Sequence, residues 1–241
     1  MQEKLYEEMY ELEEKHWWFK SKREIILKLI AQNISPNATI VDCGCGCGYL
    51  LTCLELYGRV KGIDFSETAL TYSAKNFKGE LMQGDLQQQL PLDLESVDMA
   101  VALDVIEHLE DDEKGIENIK HILKVGGKAI ITVPAFGFLW SYHDEEHMHK
   151  RRYSIKEMKK LLMKSGFSID YISYYNFWLF IPICIARFLK KNVVSHKSDA
   201  NMPNKYVNGV LEKIFSSEMI FINRRIKLPF GVSIVVVATK K

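Results

Sequence analysis

Residues 41–48, VDCGCGCG, constrain the fold of this chain more than any other stretch. The run TIVDCG reads as a short buried strand, glycines 44, 46 and 48 then alternate with cysteines, and GYLLTCLELYG reads as a helix. Glycines are required where a backbone turns sharply and lets a ligand come close, because a Cβ would obstruct both. A turn of this kind after the first strand is the usual ligand loop of an open α/β sheet, whose sites lie beyond the carboxyl ends of the strands. Cys43, Cys45 and Cys47 follow a C-x-C-x-C spacing rather than the C-x₂₋₄-C of structural zinc pairs. They are read as small buried filler, with no metal expected there.

The rest of the chain extends this pattern. RVKGIDF, GELMQGDL, VDMAVALDV, KAIITVP, FSIDYISYY and GVSIVVVATK read as further strands, and SETALTYSAKNF, EDDEKGIENIKHILKVGG and SIKEMKKLLMKSGF as helices between them. Such alternation predicts a doubly wound, mostly parallel α/β sheet of seven strands with helices on both faces. The expected organisation is an N-terminal helical lid (1–35, one amphipathic helix ending near Ala31), a ligand-binding core (36–175), a helical cap insertion (176–228) and the last strand (229–241). The uncharged stretch from Tyr171 to Ala186 is shorter than the ~20 residues that span a bilayer, and Pro182 interrupts it. It is expected to be buried or interfacial. Lys+Arg 32 against Asp+Glu 31 leaves no global basic field, so nucleic acid is not an expected partner. The acidic start MQEKLYEEMYELEEK lacks the basic and apolar regions of a secretory signal, and the five cysteines suit a reducing compartment; the expected location is the cytoplasm.

The glycine spacing bears on the ligand. In G-x-G-x-x-G the third glycine would come one residue later, and Tyr49 stands in its place. Asp42 would repel a pyrophosphate but suits a cationic ligand. The pattern D-x-G-x-G-x-G resembles motif I of the class I S-adenosylmethionine (SAM)-dependent methyltransferases. The resemblance continues through Asp64 in GIDFS, Asp85 in GDL, VALDVIEHL and LKVGGKAIITVP. It implies a Rossmann-like fold, SAM as cofactor with S-adenosylhomocysteine as product, and cofactor contacts at Asp42, Gly44, Cys45, Gly46, Gly48, Asp64, Phe65, Asp85, Leu86 and Leu103. HWWFKSKREII and LWSYHDEEHMHKRRYS resemble signatures of a bacterial type 11/12 subgroup that includes ubiquinone-pathway and natural-product O-methyltransferases. That likeness implies Arg23 near the methionine carboxylate, and Trp18, Trp140, Arg152 and Tyr153 on the acceptor side. Plain packing of the first helix is the alternative for His16, Trp17, Trp18, Phe19 and Arg23.

Methyl transfer to a hydroxyl needs a base; transfer to a carboxylate does not. His108, His143 and His149, with Asp144, follow the fourth and fifth strands and are the candidate catalytic residues, histidine having an unperturbed pKa of ~6.5. Asp104, Glu107 and His108 also resemble the E-x-x-E-H of metal-assisted ubiquinone-pathway enzymes, with Asp in place of the first Glu; the reading adopted has no metal. The expected function is O-methylation of a carboxylate or hydroxyl on a small-molecule or peptide acceptor, such as a peptide end, a saccharide or an isoprenoid. The basic HKRRY segment points towards an acid. N-methylation stays open, and the alternatives from other classes are a nicotinamide-dependent oxidoreductase and a non-catalytic SAM-binding protein. The insertion's apolar stretch with its basic end, FWLFIPICIARFLKK, could form an acceptor cap or make a weak membrane-surface contact. Oligomeric state is not legible.

Overall fold

The computed structural model describes residues 3–190 and 202–241; the part of the expected insertion at 191–201 lies outside the described residues. Strands β1 (Ala38–Cys43), β2 (Gly58–Asp64), β3 (Glu80–Gln83), β4 (Val97–Leu103), β5 (Leu123–Pro134), β6 (Phe167–Tyr175) and β7 (Ser233–Lys240) form one sheet. Its order is β3-β2-β1-β4-β5-β7-β6. β7 alone runs antiparallel, wedged between β5 and β6. All seven expected strands are present, but β5 begins at Leu123, taking in the LKVGG stretch read as the end of the preceding helix. The order reverses at β1 and β4, which opens a crevice at their carboxyl ends.

The central strands β1, β4 and β7 are largely apolar because both faces are covered. β7 shows this most simply. Ile234, Val236 and Ala238 join the core on one face with Ile116 and Ile119 of α5 (Asp112–Ile122) and Met158 and Leu162 of α7 (Ile155–Lys164). Val235 and Val237 join the core on the other, with Ile25, Ile26 and Leu29 of α2 (Trp17–Asn33), and Leu51 and Leu54 of α3 (Tyr49–Leu54). Helix α4 (Glu67–Asn76) starts at the Ser66 cap, whose side chain accepts from Ala69 N, and α7 opens on a Ser154–Glu157 capping box.

The expected single N-terminal helix is two. α1 (Glu3–Leu12) ends, and α2 begins at His16, whose Nδ1 accepts from Trp18 N at 3.3 Å. The intervening turn brings Glu13 to the glycine loop: Glu13 Oε2 accepts from Tyr49 N at 3.3 Å. Between β6 and β7 lie α8 (Phe180–Lys190), α9 (Lys205–Ser216) and α10 (Met219–Asn223). α9 lies against α2, where Asn208 Oδ1 accepts from Trp17 N at 2.9 Å and its Nδ2 donates to Lys15 O at 3.0 Å. This insertion therefore braces the N-terminal helices, and among its described residues Ile183, Ala186 and Arg187 of α8 reach the crevice. No described helix is long and apolar enough to cross a membrane.

Candidate functional site

A cavity of about 700 Å³ opens at the β1–β4 switch, roofed by α1 and α2. At one end lies the glycine loop. Gly44, Gly46 and Gly48 all have positive φ, at 84°, 55° and 83°. A Cβ on Gly44 would come within 2.4 Å of Val105 Cγ2, and one on Gly48 within 2.9 Å of the Ser73 Cα. The three glycines are thus demanded by the backbone. Ser73 Oγ donates to Gly46 O at 2.8 Å, and the loop is pinned to β2 by Gly44 N and Cys45 N donating to Ile63 O. Asp64 at the end of β2 accepts from Gly46 N and Ser66 N, both at 2.9 Å, one on each carboxylate oxygen. The five cysteines are free thiols, and burial pushes those of Cys43, Cys45 and Cys47 well up, as expected of filler rather than reactive groups.

The charge at this end is dominated by carboxylates. Asp42 is pushed up to about 7, first by burial and then by the nearby Glu13 and Asp64. Glu13 is also pushed up to about 7 by burial, against the pull of Arg23 and Lys22. Arg23 lines the cavity with its guanidinium 4.3 Å from the Tyr49 ring centre while Nη1 donates to Glu13 O at 2.8 Å. Lys22 pairs with Asp104 at 2.6 Å, and Thr132 Oγ1 donates to the other Asp104 oxygen at 2.8 Å. Burial alone would raise Asp104, yet the Lys22 ammonium holds it below its usual range. The residue resembling the first acid of E-x-x-E-H is therefore already committed to a lysine. Asp85, Leu86, Phe65, Leu103 and Cys45 complete this wall.

The other end is lined by Glu107, His108, His143, His147, His149 and Arg152. Burial pushes His108 and His147 down to about 4 and His143 to about 3. His149 Nδ1 lies 2.9 Å from Asp144 Oδ1 and its Nε2 4.0 Å from Glu107 Oε1. Asp144 is held far below the usual carboxylate range by His149 and Arg152, although burial opposes it. An ionised carboxylate only accepts, so His149 presents Nδ1–H to Asp144. Glu107 is fully buried, both its oxygens lack a hydrogen-bond partner, and burial with the neighbouring Asp104 raises it well above its ordinary value.

Five expectations change here. Asp144 does not reach the cavity: it accepts from Ser141 N, His149 and Arg152. Tyr153 is buried and donates its hydroxyl to Asp112 Oδ2 at 2.8 Å, away from the cavity. Trp140 caps a short 3-10 turn outside the lining, and Gly48 likewise stands behind it. The basic segment is paired: Lys150 with Glu110 at 2.6 Å, Arg151 with Asp112 at 3.0 Å, and Arg152 with Asp144 and Ala135 O. Trp18 does line the cavity while packing 5.3 Å from the Phe215 ring and stacking on Tyr175. Sequence reasoning missed Tyr6, Glu13 and Lys22 in the wall, which long-range packing brings there, whereas Ile183 and Arg187 belong to the stretch read as a possible acceptor cap.

Residues 41–131 match the family described as a methyltransferase domain. A "Probable S-adenosylmethionine-dependent methyltransferase" of Mycobacterium tuberculosis is 28% identical over 65% of this chain and 58% of its own. The ubiquinone biosynthesis O-methyltransferase of Coxiella burnetii is 30% identical over 44% of this chain and 48% of its own. Among solved structures, a SAM-dependent methyltransferase from Thermotoga maritima, titled "possible histamine N-methyltransferase", has a TM-score of 0.60 at 18% identity, covering 99% of this chain and 96% of that one. That likeness shows the shared fold. The chain spans 58–62% of the length of the mycobacterial relatives it matches.

Proposed function

From the premise that residues 41–131 form a methyltransferase domain, we propose that this protein transfers a methyl group from SAM to a hydroxyl of a small, partly apolar acceptor. The observation that carries the reading is the union of three positive-φ glycines with the carboxylates of Asp42 and Asp64 around one end of the cavity. SAM supplies an already activated methyl on a sulfonium, so the chain's task is to bind, orient and exclude water. The glycine loop gives close backbone approach. Asp64 is the group for the ribose hydroxyls, Asp85 for the adenine amino group, and Arg23 for the methionine carboxylate. Asp42 and Glu13 favour the cationic centres.

At the acceptor end, His149 with its Asp144 partner is the base, taking the hydroxyl proton on Nε2 as the oxygen attacks. This pairing favours a hydroxyl over a carboxylate, which has no proton to lose, and the pairing of the HKRRY cations removes the main argument for an acid. α8 supports an apolar acceptor: it sends Ile183 to the cavity and leaves Ile181, Ile185, Phe188 and Leu189 exposed.

Methyl-labelled SAM incubated with the protein and fractionated extract of its source cells tests the reading. Alkali-stable label on a small molecule is expected, with His149→Gln slowing transfer by about 10²-fold or more at unchanged SAM affinity. Alkali-labile label would identify an ester and contradict the hydroxyl acceptor.

A further inference from the structure

One proton acceptor suffices for this reaction, yet four histidines crowd the acceptor end. Three of the side chains there are arranged for a different purpose. His143, Glu146 and His147 fall at i, i+3 and i+4 along α6 (Tyr142–Glu146) and its C-terminal cap, so they share one face of a single turn. A ligand-capable atom of each lies within 4.8 Å of the other two, and the two imidazole centres are 4.2 Å apart. His143 Nδ1 and Glu146 Oε2 are buried without a hydrogen-bond partner. Buried polar atoms left this way are destabilising. A cation held between them would satisfy both.

We propose that His143, Glu146 and His147 bind one divalent transition-metal ion. Two imidazoles and a carboxylate suit Zn²⁺, Co²⁺, Ni²⁺ or Fe²⁺, whereas Mg²⁺ and Ca²⁺ select all-oxygen sets. Three protein donors leave a coordination position open. Because His143 and His147 line the cavity, that position faces the acceptor space. The assignment of what occupies it rests on the methyl-transfer reading: an acceptor oxygen or nitrogen able to ligate the ion. The neighbouring trio Glu107, His108 and His149 has similar spacing, but His149 is held by Asp144 for proton transfer, and the experiment separates the two trios.

The full chain is stripped of metal with a chelator and titrated with Co²⁺ and Zn²⁺, by calorimetry and by the visible spectrum of Co²⁺. One equivalent is expected, with the absorption of a nitrogen- and oxygen-ligated, four- or five-coordinate ion. His143→Ala with His147→Ala loses that equivalent, while His108→Ala and His121→Ala, the latter on the exposed side of α5, retain it. SAM titrations of the same metal-free proteins report folding and test the methyltransferase reading separately. If the double variant fails to bind SAM, the wild-type Co²⁺ spectrum decides alone, and a hexaaquo-like spectrum overturns the site. Absence of stoichiometric binding, or loss on His108→Ala with retention in the double variant, overturns it as well.

Discussion

At Gly48 the backbone holds φ at +83° with the Ser73 Cα 2.9 Å from where a Cβ would stand. Gly48→Ala is expected to cost about 2 kcal/mol, from the left-handed penalty and the contact combined, and to abolish SAM binding. Thermal denaturation and calorimetry check the two effects. Asp42 and Glu13 give a second prediction. Both are raised to about 7 in the free protein, chiefly by burial, so a bound cation must shift them to the ionised form. Binding then releases protons, and SAM affinity rises with pH between about 6 and 8. In the same free protein these two raised acids contribute stability at low pH that is lost as pH rises through 7. Calorimetry in buffers of different ionisation enthalpy reads the proton release, and Asp42→Asn reduces it. Asp42, Asp64 and the glycines were legible because their types and spacing answer a local demand. Glu13 and Lys22 were not, because a lysine on the N-terminal helix meets Asp104 only after the chain has folded.

Among the elements, the central strands were legible because an apolar run buried on both faces leaves a continuous signal, whereas the start of β5 at residues 123–127 was read as helix because its glycine pair looked like a helix stop. The N-terminal segment was misread as one helix because HWWFK offers no glycine or proline to mark a break, and histidine is an uncommon cap. The break is held from outside, by Asn208 of α9 bonding both sides of it. Asn208→Ala removes two hydrogen bonds and should cost about 2 kcal/mol, with weaker SAM binding as the roof over the glycine loop loosens. Unchanged melting temperature and affinity would show that α9 is a bystander. The HKRRY segment carries the converse lesson. Charge in a sequence suggested a clamp, and its partners Glu110, Asp112 and Asp144 turned it into scaffold.

Across the whole molecule, the cavity sits where the strand order reverses, with a carboxylate-rich end at β1 and β2 and a histidine-rich end beyond β4 and β5. Of the three cysteines around the glycines, Cys45 reaches the cavity wall while Cys43 and Cys47 lie behind it. Replacing Cys43, Cys45 and Cys47 together by alanine should leave SAM affinity little changed, since their thiols are buried and protonated; a large loss would give them a role in binding. The central claim is that the β1–β2 end holds SAM. Calorimetric titration of the full chain with SAM, NADH and SAM again after Asp64→Ala tests it most directly. The account predicts one-to-one SAM binding, none for NADH, and loss of SAM binding in the variant. NADH binding without SAM binding, or SAM binding indifferent to Asp64, would contradict it.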